Sequence, residues 1–135
     1  MNNHIKYKNG YKYQVAETYE IEVPLDQTCG VDGFIDLKGG RLTIKKGYAF
    51  DGPSGPTFDT KSFMRGSLVH DALYQLIREG KIDQSCRADA DKLLRKICRE
   101  DGMSWLRSRW VYHSVRMFGG AAARPSAIRK VETAP

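Results

Sequence analysis

No stretch of this 135-residue chain approaches the roughly 18 consecutive apolar residues that a membrane-spanning helix needs. Residues 1–10 are polar rather than signal-like, so the expected location is the cytoplasm in which the chain is made. Cysteine is scarce as well. Cys29, Cys86 and Cys98 are an odd set without a CxxC spacing, which argues against a disulfide framework and against a zinc knuckle. No internal repeat is present, so solenoids and arrays are excluded. Negative charge is also in deficit: 22 Lys and Arg face 16 Asp and Glu, for a net +6.

What is there is ordinary globular composition, 41% hydrophobic and 28% charged. A chain of this size buries roughly two-thirds of the surface its unfolded form exposes. We expect one α+β domain over residues 1–120 and a tail over 121–135, where no core pattern is evident. The positive balance favours an acidic partner such as nucleic acid or an anionic membrane surface. The basic residues are spread over Lys92, Arg95, Lys96, Arg99, Arg107, Arg109 and Arg116, which reads first as a solvated face. Nucleic acid ranks last, because no recognised binding motif accompanies the charge.

Tyr11, Tyr13, Val15, Tyr19, Ile21 and Val23 alternate with polar residues except for a slip at residues 16–18. Period two predicts strand, broken or bulged at the slip. Residues 34–45 have the form of a hairpin turning at Gly39-Gly40, and a short strand is expected to end at Phe50. The segment YAFDGPSGPTFD, residues 48–59, has glycines, prolines and no helical period, so it is read as a shaped loop. Three helices should follow. The first runs from Asp59 or Thr60, as cap, to Gly80, with Phe63, Ser67, His70, Tyr74 and Ile77 on its buried stripe. The second covers about 84–100, with Ala90, Leu93, Leu94, Ile97 and Cys98 inward. The third covers about 104–118 and carries Trp105, Leu106, Val111, Tyr112, Val115 and Met117. Tyr74 and Tyr112 are expected as core aromatics with their hydroxyls at the surface, and Cys86 and Cys98 as small core residues.

Polar intruders in these apolar stripes carry the chemistry. His70 and Asp91 cost free energy to bury unless they meet. Two antiparallel helices could bring Asp91 to one ring nitrogen of His70 and leave the other as a base. Asp71, about 100° around the helix from His70, can face the Gly/Pro loop and join Asp51. Two carboxylates with the backbone of Gly52 would form a hard oxygen site of the kind calcium prefers.

The run DGPSGP, SLVHDALY and RADADKLL resembles the bacterial and fungal phospholipases A2. In those enzymes a calcium loop precedes an HD-x-x-Y helix, and a second helix supplies an aspartate to the histidine. The resemblance implies His70 as general base, Asp91 as its partner, and Asp51, Gly52 and Asp71 at calcium. A likeness covering more of the chain adds GYAFDGPSGP and VYHSVRMFGG. It is to an uncharacterised family of small tailed-phage and prophage proteins with the pattern G-[FY]-x-x-D-x-x-S-x-P, H-D-x-L-Y, R-x-x-A-D and Y-x-x-V-R-x-[FY]-G. Two functions follow as expectations. One is a calcium-assisted ester hydrolase acting on host phospholipid. The other is a non-enzymatic virion protein of the tail or head-tail region, in which His70 and Asp91 form a structural clamp. The basic third helix and the tail would then contact neighbouring virion proteins.

Overall fold

The computed structural model describes residues 4–5, 7–8, 13–31, 33–50 and 60–124. Among the described residues the strands come first: β1 (Tyr7–Lys8), β2 (Tyr13–Val15), β3 (Tyr19–Glu22), β4 (Cys29–Val31), β5 (Ile35–Lys38), β6 (Arg41–Ile44) and β7 (Ala49–Phe50). Helices α1 (Thr60–Arg78), α2 (Arg87–Glu100) and α3 (Trp105–Phe118) follow, with a 3₁₀ turn at Gln84–Cys86 ahead of α2. The order makes the fold α+β.

The strands form two antiparallel sheets, ordered β1-β2-β7 and β3-β6-β5-β4. The break in alternation at residues 16–18 is where the chain leaves the first sheet for the second. Along β3, β5 and β6 every second residue points inward, so Tyr19, Ile21, Ile35, Leu37, Leu42 and Ile44 are all buried. Lys38 pairs with Arg41, which leaves a two-residue turn of Gly39 and Gly40 at φ 55° and 84°. Both lie in the left-handed region that side chains with a Cβ avoid, and two such residues match the twist of a hairpin.

One face of α1 completes this core. Leu68, Val69, Ala72, Leu73, Leu76 and Ile77 pack with the strand residues in a single cluster, each contributing about 1.5–3 kcal/mol if large and apolar. The adjoining flank of α1 meets α2, and contacts run in reverse order along the two helices: Arg65 reaches Asp101, Gly66 lies on Leu94 and Cys98, and His70 reaches Asp91. The pair is therefore antiparallel, as the sequence predicts. A Cβ on Gly66 would stand 3.0 Å from both Cys98 Sγ and Leu94 Cδ1, so glycine sets the closeness of the two helices. Burial pushes the Cys98 thiol up to about 12, which keeps it protonated and inert.

Ser104 opens α3 by accepting the N–H of Arg107. Val111 and Val115 then lay the helix on Phe63, Leu94, Cys98 and Met103. The inward stripe of α3 is narrow, and Trp105, Leu106 and Met117 are exposed. Beyond α3 the chain returns to the core at Ala123, which is fully buried and accepts a hydrogen bond from Gln84 Nε2 at 2.7 Å. No helix among the described residues is long and apolar enough to cross a membrane.

Candidate functional site

The antiparallel helices bring the two polar intruders together. His70 Nε2 lies 2.6 Å from Asp91 Oδ1, with His70 8% exposed and Asp91 fully enclosed. An ionised carboxylate can only accept, so Nε2 carries the hydrogen, and in the neutral ring Nδ1 holds the lone pair. The bond to Asp91 is made through Nε2, not Nδ1.

Tyr74 follows His70 by one helical turn, and its ring lies 4.0 Å from the imidazole, centroid to centroid. Its hydroxyl does not reach the surface, contrary to expectation, but donates to the same Asp91 Oδ1 at 2.6 Å. The i,i+4 spacing on α1 aims both groups at one point of α2. Burial, reinforced by the bond to the Asp91 carboxylate, moves the Tyr74 hydroxyl well above the usual phenol range. It is a permanent donor here.

The other oxygen of Asp91 faces cations. Arg116, from the last turn of α3, donates to Oδ2 at 2.9 Å, and Arg87, one turn before Asp91 on α2, stands 4.0 Å away. Arg87 Nη2 also donates to the Arg116 carbonyl at 2.9 Å. Its Nη1 is buried with no hydrogen-bond partner, so charge attraction to Asp91 is its compensation. Burial alone would raise the carboxyl of Asp91. The bonds from His70, Tyr74 and Arg116 outweigh it and hold the group below the usual carboxylate range. Arg116 is thus a half-buried ion-pair member rather than a wholly solvated cation. The backbone just beyond it is tight: a Cβ on Gly119 would come 2.8 Å from Tyr74 Oη and 2.5 Å from the Val115 carbonyl.

Arg65 is a second buried cation that periodicity does not reveal. It donates to both oxygens of Asp101, to Glu100 and to the hydroxyl of Tyr19. Burial opposes its charge, but the Asp101 and Tyr19 bonds prevail and raise it above its ordinary value. Tyr19 is raised by its own burial.

The predicted calcium ligands fare differently. Asp71 is half-buried on α1, while Asp51 and Gly52 lie outside the described residues, as does the capping expected of Asp59. Among the described residues no group of three His, Cys, Asp or Glu side chains could hold a metal. These residues alone do not complete a calcium site.

The polar members of three separated motifs, His70 and Tyr74 of HDALY, Arg87 and Asp91 of RADAD, and Arg116 and Gly119 of YHSVRMFG, now form one cluster. A family model described as a protein of unknown function, DUF1353, matches residues 33–115. The chain belongs to the DUF1353 family. That span contains the first two motifs entire and ends one residue before Arg116. No curated protein and no solved structure matches the chain.

Proposed function

We propose that this DUF1353 protein is a phage-encoded ester hydrolase with phospholipase A2-like chemistry, acting on phospholipid. One observation supports the reading above others: Asp91, enclosed and fixed by Tyr74 and Arg116, holds His70 by Nε2 and so presents Nδ1 as a base. In this reading Nδ1 takes a proton from water as its oxygen adds to the ester carbonyl carbon. The imidazolium is stabilised by Asp91, and the proton passes to the departing alkoxide as the tetrahedral intermediate collapses. Orientation of the ring by a buried carboxylate is worth several orders of magnitude in related chemistry.

Calcium is part of the proposal. Asp71, Asp51 and the Gly52 carbonyl would hold it, and it would polarise the ester carbonyl. Tyr48, three residues ahead of Asp51, donates to Gln75 at 2.9 Å, one turn along α1 from Asp71, which favours that approach. The test is fatty-acid release from phospholipid vesicles, with calcium and with EDTA. We expect release by the wild type with calcium, and loss of it with EDTA or in His70→Ala. Equal release by wild type and His70→Ala would overturn the hydrolase reading.

A second reading has its own support. His70 is only 8% exposed, and the partners of Asp91 come from three helices. Such a cluster also serves as a clamp in a non-enzymatic virion protein. Under that reading His70→Ala lowers the melting temperature and there is no activity to lose.

A further inference from the structure

Among the described residues, five of the six exposed large apolar side chains belong to α3. Leu106, Trp110 and Met117 are 73%, 57% and 74% exposed, and their spacing of four and seven residues puts them on one stripe. Trp105 and Phe118 flank it. The stripe lies opposite Ser108, Val111 and Val115, which already bury the inner face of the helix. His113, also exposed, stands in the stripe between Trp110 and Met117, and so large a share of exposed apolar side chains on one helix marks an interaction site.

Charge identifies its occupant. The sequence has no acidic residue between Asp101 and Glu132, and the exposed Arg109 lies over the Trp105 ring at 5.3 Å. The neighbouring edge of α2 adds exposed Lys92, Arg95, Lys96 and Arg99, with the Arg95 guanidinium 4.9 Å from the Tyr112 ring. A nucleic acid would engage the cations but leave Leu106 and Met117 in water. An anionic bilayer uses everything present: tryptophan rings at the headgroup level, aliphatic side chains at the acyl boundary, and cations drawn to acidic lipid.

We propose that the outer face of α3 docks this protein on an anionic phospholipid bilayer. The proposal is independent of the hydrolase reading, because binding is read without turnover. Both tryptophans of the chain, Trp105 and Trp110, lie on this face, so intrinsic fluorescence reports on it without a label. The full chain is titrated with phosphatidylcholine vesicles that contain phosphatidylglycerol, and with phosphatidylcholine alone. Expected are a blue shift and co-sedimentation with the anionic vesicles. Their partition should weaken at least about tenfold at high salt, and by a similar factor in a Leu106→Asp, Met117→Asp variant whose circular dichroism matches the wild type. The proposal is overturned by absent co-sedimentation, by equal binding to both vesicle types, or by undiminished binding of the aspartate variant. A blue shift that grows with protein concentration in the absence of vesicles would also overturn it, giving the face to a second copy of the chain.

Discussion

At the scale of single residues, Asp91 is where burial and charge meet. A bare carboxylate in its position would cost several kcal/mol, and here two hydroxyl or imidazole donors and two guanidinium groups offset that cost. Asp91→Ala would leave the half-buried Arg87 and Arg116 without their counter-charge and His70 and Tyr74 without their acceptor. We expect it to destabilise the protein by about 3–5 kcal/mol, against about 1–3 kcal/mol for His70→Ala, both measured by urea unfolding. The native carboxyl holds its proton more weakly than the unfolded chain, in which aspartate titrates near ~3.9. Its stabilisation is therefore complete above about pH 4 and is lost as the pH falls through the lower native value. An acid series of melting temperatures should show that fall in the wild type and less of it in Asp91→Ala. The His70 and Asp91 pair was legible because each interrupts an apolar stripe. Tyr74 and Arg116 were not, since the direction of a hydroxyl or guanidinium depends on how α3 approaches, which periodicity does not encode.

At the scale of elements, close approach decides what the helices can do. Gly119 closes α3 against Tyr74, and the nearest obstacle to a Cβ there is backbone, the Val115 carbonyl at 2.5 Å. Gly119→Ala must shift the end of α3 and with it Arg116 and the Tyr74 hydroxyl. We expect a loss of about 1–3 kcal/mol, and a weaker effect in a Tyr74→Phe background, where half of the crowding is gone. A double-mutant cycle of thermal unfolding reads the coupling; strictly additive effects would contradict it. The hairpin at Gly39-Gly40 and the limits of α1 and α3 were legible because local rules set them: paired glycines for the turn, Gly80 and Ser104 at helix ends. The outward face of α3 was not legible. Its Trp105, Leu106 and Met117 satisfy a helical apolar pattern, but one helix lying on α2 has an inner stripe only wide enough for Ser108, Val111 and Val115.

At the scale of the whole molecule, the strands, α1 and the inner residues of α2 share one core, and Arg65 adds a polar tie among them. From α1 it holds Tyr19 on β3 and Glu100 and Asp101 at the end of α2, so sheet and helices meet at a single guanidinium that is 3% exposed. Removing it takes the guanidinium from the Asp101 carboxylate and the Tyr19 hydroxyl at once, whereas removing Asp101 alone still leaves Glu100 for the cation. Arg65→Ala should therefore cost about 3–5 kcal/mol and exceed Asp101→Ala. Arg65→Lys should recover only part of the loss, because one ammonium cannot span both Asp101 oxygens, Glu100 and Tyr19 with the geometry of a guanidinium fork. Because the core is shared, the wild type should unfold in one transition, with tryptophan fluorescence from α3 coinciding with far-ultraviolet circular dichroism from the whole chain. In Arg65→Ala the two probes should shift together to lower temperature if the apolar core alone keeps sheet and helices cooperative. Separation of the fluorescence and dichroism midpoints in that variant would instead assign the cooperativity to Arg65.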